Sequence, residues 1–148
     1  MLADSAGRSG NVPDRGDSIA KNRIPLAGTA EARRHLLRSR VMDHIHRRLG
    51  DPRLSPRSIA AAHRISVSHL HELFAGHDMT ISAWIPHLRL ERCRLDLAGP
   101  RLRPYPVRAI AARWDFSDAA HFSRVFRAAY GALPGRYRRR APDRAASR

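Results

Sequence analysis

The chain has 148 residues, 43% of them apolar and only 6% aromatic, which is typical of one small helical domain with or without a tail. Its formal charge is +15 at pH 7, with 28 basic residues against 13 acidic ones. This charge permits nucleic acid, acidic small molecules and membrane surfaces as partners. No run approaches the roughly 18 apolar residues that cross a bilayer, so no membrane-spanning segment is predicted.

The N-terminus lacks an apolar core followed by a cleavage site, so we predict a cytoplasmic protein. Cys93 is the only cysteine, which excludes an intrachain disulfide. We expect this residue to be a small buried hydrophobe rather than a nucleophile.

Residues 1–28 are rich in Gly, Ser, Asp, Asn, Arg and Pro and show no hydrophobic period. They are predicted to form a disordered tail, followed by one domain over residues 29–140. A first helix is predicted to begin near Thr29, with apolar residues at helical spacing as far as Leu49. Gly50 and Pro52 then end it.

Residues 54–76 have the pattern of two short helices joined by a turn. Ser55 is the predicted N-cap of the first, with Pro56 at its first helical position. A longer linker helix is predicted over about residues 80–98, capped by Thr80. Eighteen residues of helix would span about 27 Å. Pro86 lies inside this helix and is expected to kink it or move its start.

A second pair of short helices is predicted over about residues 106–131. The N-cap of its second helix is either Ser117 or Asp118, and Gly131 ends that helix. Four apolar residues follow the helical period and predict its buried face: Phe122, Val125, Phe126 and Ala129. A basic helical turn should follow over residues 135–140, and residues 141–148 are predicted to fray.

The two pairs form an internal repeat. The segment from Ile59 to Ser66 matches the segment from Ile110 to Ser117 at an offset of 51, and the apolar positions beyond the serine match at 52. Each unit is therefore a short helix, a tight turn and a second helix, which is the spacing of a helix-turn-helix. Agreement in two units is much harder to attribute to chance than agreement in one.

The repeat also gives corresponding outer faces on the second helix of each pair. Ser68, His71, Glu72 and Ala75 in the first unit correspond to Ala120, Ser123, Arg124 and Arg127 in the second. Small side chains permit close approach to base edges, and arginines hold guanine or phosphate. Two such helices about 34 Å apart would enter successive major-groove segments of one DNA duplex, and the linker helix has the right order of length.

Other chemistry is poorly supported. His69 and His71, like His44 and His46, stand two residues apart, so their side chains point to different sides of a helix. We therefore predict no metal and no other cofactor. The chain has no nucleophile elbow, no glycine-rich phosphate loop and no paired acids at helical spacing, so no enzyme activity is predicted. The run from Arg138 to Arg140 is either a solvated basic tail or a phosphate contact beside the main site.

Residues 40–140 resemble the DNA-binding domain of the AraC/XylS family of bacterial transcription regulators. The second unit carries the specific part of this resemblance, in the segments Ile110–Phe116, His121–Phe126 and Gly131–Pro134 with Tyr137 and Arg138. Leu49–Pro52, Leu54–Pro56, Ser66, Leu70, Leu73–Phe74 and Arg89–Leu90 match its first half. The resemblance implies an all-α fold of about seven helices, with two helix-turn-helix subdomains joined by a long linker helix.

The resemblance also implies a function, namely sequence-specific binding of double-stranded DNA at promoters, with RNA polymerase as a further partner and activation as the usual outcome. In the first unit, Ser68, His71 and Glu72 fall where the family contacts bases. Ala119, Ala120, Ser123 and Arg124 do so in the second, and Arg127 falls at a phosphate contact. With the turn serines, the predicted DNA-binding set is Ser66, Ser68, His71, Glu72, Ser117, Ala119, Ala120, Ser123, Arg124 and Arg127.

Four departures from the family pattern stand out. Asp115 replaces the preferred glycine in a turn that often needs positive φ, Glu72 places an acid on a DNA-facing surface, and Pro86 interrupts the linker helix. The fourth is that about 35 residues before the domain leave no room for the sensing domain of about 150 residues that most members carry, so no effector site is expected. The chain would then be a stand-alone or a truncated regulator. The alternative function is an interaction module that binds a protein partner or modulates a longer regulator without strong DNA binding.

Overall fold

The structure is a computed structural model that describes residues 28–146. The predicted disordered tail lies outside the described residues except for Gly28, as do the last two residues of the predicted frayed end. Between residues 28 and 146 there are seven helices and no strand, which confirms the predicted all-α class. They are α1 (Ala30–Arg47), α2 (Pro56–Ala62), α3 (Val67–Leu73), α4 (Ile81–Ala98), α5 (Val107–Arg113), α6 (Ala119–Tyr130) and α7 (Pro134–Ala146).

The helix starts follow the capping signals in the sequence. The Ser55 hydroxyl accepts a hydrogen bond from the Ser58 amide (3.1 Å), and the Ser58 hydroxyl accepts one from the Ser55 amide (2.9 Å). This reciprocal pair is a capping box, and Pro56 takes the first helical position behind it. The Thr80 hydroxyl caps α4 by accepting from the Ala83 amide (3.2 Å). The helix runs on through Pro86 to Ala98, so the proline does not move its start.

The internal repeat is present in the backbone of the two turns. The Ile65 amide donates to the Ala60 carbonyl, and the Phe116 amide donates to the Ala111 carbonyl 51 residues later, both at 3.0 Å. Arg64 and Asp115, also 51 apart, are the two non-glycine residues with positive φ in the described part of the chain, at 57° and 69°. The left-handed conformation expected at Asp115 is thus confirmed, and both turns use it.

The N-caps show where the extra residue of the second unit lies. The Ser66 hydroxyl accepts from the His69 amide at the start of α3 (2.9 Å). At the start of α6 the Asp118 carboxylate accepts from the Ala120 and His121 amides (3.0 and 3.1 Å). The structure therefore selects Asp118 over Ser117 as the cap, and Ser117 is the inserted turn residue.

Helix α4 packs against α5 and α7 around a core of buried residues in the second half of the chain. Its buried members are Leu90, Cys93, Leu97, Ile110, Ala111, Phe122, Phe126 and Tyr137. Burial raises the pKa of the Cys93 thiol to about 12, which agrees with an inert hydrophobic role. Ala129 is exposed, contrary to the predicted apolar face, and Tyr130 packs against the core instead.

Substituting Ser55→Ala should lower the free energy of unfolding by about 1 kcal/mol, because it removes the hydroxyl that accepts from the Ser58 amide and so breaks the reciprocal capping box. Chemical denaturation measures this change. The control is Ser82→Ala, at an exposed position in the first turn of α4, which should leave stability unchanged or slightly raise it. Equal effects from both substitutions would show that the capping box contributes nothing particular.

Two histidines of the first half are partly buried against each other. The His44 and His63 rings are 5.1 Å apart in an edge-on arrangement, and Nε2 of His63 is buried with no hydrogen-bond partner in the described part of the chain. Burial lowers the pKa of both below the ordinary 6.5, with His63, Arg48 and Arg47 adding to the effect at His44. The positive charges of Arg40 and Arg47 act in the same way on His63. Both rings are therefore neutral in the folded protein at pH 7.

Because the unfolded chain binds protons at these two histidines at a higher pH than the folded chain does, stability should fall as the pH drops below 6.5. Replacing His63→Gln should flatten this dependence between pH 7 and about 5.5. The same series of denaturation curves with His69→Gln, at an exposed position, should keep the parent's slope. An unchanged slope in the His63 variant would contradict the assignment.

Candidate nucleic-acid interface

In the first helix pair, the predicted contact residues are all exposed on or beside α3. Ser68, His71 and Glu72 project from the helix, and Ser66 caps it. The other side of α3 is held in the protein by Leu70 and Leu73, which are fully or almost fully buried. The helix therefore offers one polar face, which combines hydroxyl, imidazole and carboxylate groups.

In the second helix pair, the predicted residues lie along the outer side of α6. Ala119, Ala120, Arg124 and Arg127 are exposed, and Ser123 is half-buried. Ser117 lies in the preceding turn, also exposed. The face is small at its N-terminal end and cationic further on, because the two alanines precede the two arginines.

A groove of about 510 Å³ separates α5 from α6 and brings some of these residues together. Ser117, Ala119 and Ser123 line it, along with Arg108 from α5. Its floor is apolar and includes Phe116 and Phe122. The structure thus groups the small and hydroxyl side chains of the second unit around one opening, while Arg124 and Arg127 do not line it.

The start of α6 carries a full negative charge at its cap. Hydrogen bonds from the His121 and Ala120 amides, together with the nearby Arg124 guanidinium, lower the pKa of the Asp118 carboxyl below its usual value. The carboxylate therefore satisfies backbone donors that would otherwise be free to meet a phosphate. Positive charge on this helix comes from Arg124 and Arg127 instead.

A polar network holds the inner side of α6 to α4 and α7. The Tyr130 hydroxyl donates to the Glu91 carboxylate (2.8 Å), which also pairs with Arg94. Arg94 in turn donates to the Tyr137 hydroxyl (3.2 Å). The hydrogen bond from Arg94 is the main cause of the lowered pKa of Glu91. This network could not be predicted from the sequence, because its members are far apart in the chain.

The basic run at the start of α7 is partly engaged. The Arg138 guanidinium donates two hydrogen bonds to the Tyr105 carbonyl (2.5 and 2.7 Å), so this side chain ties α7 to the loop before α5. Arg139 and Arg140 are exposed. Of the two interpretations, a solvated basic tail or a phosphate contact, the second therefore applies only to Arg139 and Arg140.

Two features of the described residues bear on other functions. Residues 28–141 contain no group of three or more histidine, cysteine, aspartate or glutamate side chains arranged to hold a metal ion. Within the same part of the chain, no helix combines the length and apolar character that crossing a bilayer requires.

Sequence comparison places the chain among transcription regulators. The profile of a family described as "Helix-turn-helix domain" matches residues 59–140, more than half of the chain. Over 101 residues the chain is 37% identical to the transcriptional activator NphR of Rhodococcus sp., and over 111 residues 29% identical to the uncharacterized HTH-type transcriptional regulator YpdC of Escherichia coli strain K12. These alignments cover 68% and 74% of this chain but only 29% and 38% of the relatives' lengths.

Solved structures share the fold. The C-terminal domain of AraT, a response regulator from Geobacillus stearothermophilus, superposes with a TM-score of 0.61 at 23% identity, over 70% of this chain and 84% of that one. A DNA-binding transcriptional dual regulator from Escherichia coli K-12 gives a TM-score of 0.62 at 20% identity, over 72% and 93%. With two helix-turn-helix pairs joined by α4 and the matching family profile, the chain belongs to the AraC-type helix-turn-helix family of transcription regulators.

Proposed function

We propose that this protein binds double-stranded DNA in a sequence-specific manner and regulates transcription at promoters by contacting two adjacent major-groove segments. The observation that carries the proposal is the duplicated helix pair. Its two turns have the same backbone hydrogen bond and a residue in the left-handed conformation at the same position. In each pair the second helix has an exposed face of small, polar or cationic side chains. Helices of this kind present side chains to base edges in the helix-turn-helix mode.

Each face would make different contacts. In the second unit, Arg124 has the reach and planar donor pair for a guanine, while the alanines before it allow close approach and contact with a thymine methyl group. Arg127 and the hydroxyl groups of Ser66, Ser117 and Ser123 would bind phosphates or base acceptors. In the first unit, Glu72 would accept a hydrogen bond from the N4 amino group of cytosine, beside Ser68 and His71.

The relatives support a regulatory rather than a catalytic role. NphR is a transcriptional activator by name, and we propose activation, through contact with RNA polymerase, as the outcome for this chain as well. The relatives are bacterial, and bacterial DNA lies in the cytoplasm, which is the proposed place of action. Neither the fold nor the relatives add support to the alternative of an interaction module without DNA binding.

The proposal is tested by selecting bound sequences from a random duplex pool. It expects a defined site of about 15–20 bp, and an affinity that falls with salt by a log–log slope of about −0.9 for each phosphate neutralised. Equal affinity for all duplexes at physiological salt would overturn the sequence-specific claim.

Substitution of Arg124→Ala should weaken binding to the selected site by ~1–3 kcal/mol and leave binding to random DNA almost unchanged, because it removes a base contact. The contrasting variant is Arg127→Ala, which should weaken binding to the selected site and to random DNA to a similar degree. It should also reduce the log–log slope of affinity against salt by about 1, because it removes a phosphate contact. Fluorescence anisotropy over a salt series measures both. A loss from Arg124→Ala that is equal on both duplexes would reassign Arg124 to the backbone.

A further inference from the structure

Arg89, in the middle of α4, is the only charged residue that is buried among residues 28–141, with 8% of its surface exposed. Its guanidinium has three partners from two distant parts of the chain. It donates to the Leu49 carbonyl (2.8 Å), the Asp51 carbonyl (2.7 Å) and the Asp115 carboxylate (3.0 Å). The first two belong to the loop that leads from α1 into the first helix pair, and Asp115 lies in the turn of the second pair.

The same two parts of the chain touch directly beside Arg89. A Cβ atom placed on Gly50 would lie 2.9 Å from the carbonyl oxygen of Arg113, closer than such atoms approach in proteins, and 4.0 Å from the Trp114 ring. The absence of a side chain at Gly50 therefore allows the loop to lie against the end of α5. The first half of the domain contacts the second at this point, in addition to their covalent connection through α4.

The turn that holds Asp115 is also anchored to the linker helix. The Trp114 indole donates to the Asp96 carboxylate (2.8 Å), and the Arg92 guanidinium lies 5.7 Å from the centre of the Trp114 ring. Asp115 itself adopts φ 69°, a conformation that costs an L-residue free energy and that glycine adopts readily. The ion pair with Arg89 offsets this cost. Among the described residues, Asp115 provides the only carboxylate that lies against the buried guanidinium.

We propose that Asp115 is a positioning residue which, through Arg89 and the contact at Gly50, fixes the orientation of the second helix pair relative to the first. We call these three residues the clamp. Helix α6 begins four residues after Asp115, so the clamp holds its base. The clamp therefore sets the spacing between the two DNA segments that the protein accepts, an inference that rests on the proposed DNA binding.

The orientation of the two helix pairs is measured first without DNA. Spin labels on cysteines introduced by Arg57→Cys in α2 and Arg108→Cys in α5, both exposed positions, report one distance between the pairs. Cys93 is buried and its thiol pKa is raised to about 12, so it stays unlabelled. We expect a single narrow distance distribution in the labelled parent and a broader or shifted one after Asp115→Asn, which keeps the turn but removes the charge.

The matched control is Glu91→Gln. The Glu91 side chain is 36% exposed and pairs with Arg94, and the Asp115 side chain is similarly 35% exposed and pairs with Arg89. The partners of Glu91, however, lie on α4 and α6, and none of them lies in the first half of the domain. This variant should keep the narrow distribution. Gly50→Ala keeps every charge and should broaden or shift the distribution as Asp115→Asn does, which separates the clamp from a general loss of charge. A parent distribution that persists in both clamp variants would overturn the proposal.

The spacing is then measured on DNA, with the selected site and versions that have one base pair added or removed between its two segments. The parent should lose affinity ~10-fold or more on the altered spacings, because a rigid pair of helices cannot follow both segments. Asp115→Asn should reduce this penalty to ~3-fold or less while binding the second segment alone as the parent does. A penalty equal to that of the parent would overturn the inference. Failure of the parent to select any site would overturn the proposed function instead, and the distance measurement would still decide the clamp.

Discussion

The hydrogen bonds of Arg89 are the interaction on which the arrangement of this domain depends. A buried guanidinium is costly unless its donors are satisfied, and this one reaches two backbone carbonyls and one carboxylate. All three acceptors are 26–40 residues away along the chain, so their positions are coupled to α4. Loss of one partner would leave a buried positive charge incompletely compensated, which makes the ends of both helix pairs difficult to move independently.

Behind α6, the second of the two helices that we propose to contact DNA, aromatic rings pack closely against one another. Ring centres lie 5.6 Å apart from Phe122 to Phe126 and 4.8 Å from Phe126 to Tyr130, and Tyr137 of α7 packs edge-on against Phe126. Such pairs add to the free energy gained by burial, and the tyrosines keep their hydroxyls on polar partners. The inner face of α6 is thus heavily anchored, which leaves its outer face free for other contacts.

The outer faces of the two helix pairs, which we propose to contact DNA, differ in charge at two corresponding positions, Glu72 against Arg124 and Ala75 against Arg127. Glu72 of α3 and Arg124 of α6 occupy corresponding positions 52 residues apart, with the same helix pair behind each. A carboxylate and a guanidinium at one position favour different bases and respond differently to phosphate. The duplication therefore preserves the scaffold while the two faces have different chemistry, which agrees with the proposed contact with two unlike DNA segments.

Local chemistry in the sequence was sufficient to predict most of the fold. Helix starts at Ser55 and Thr80 and the repeat depend on neighbouring residues, so pattern and capping rules locate them. The left-handed turn at Asp115 is expected from the family resemblance, in which glycine is preferred at this position. The exposed positions of the predicted contact residues also follow from helical period, although their contacts with DNA stay predictions. The polar network behind α6 and the partners of Arg89 could not be predicted in this way.

Only the tertiary structure decided the remaining points, and each depends on residues distant in the chain. Ala129 and Tyr130 are neighbours on one helix. Tyr130 packs on the side of α6 that faces α4, where its hydroxyl donates to Glu91, and Ala129 is exposed. Asp115 departs from the glycine that the turn alone would favour, because Arg89 provides a buried positive charge beside it. A short-range sequence pattern cannot predict such a partner, since the two residues meet only after α4 has brought the two halves of the domain together.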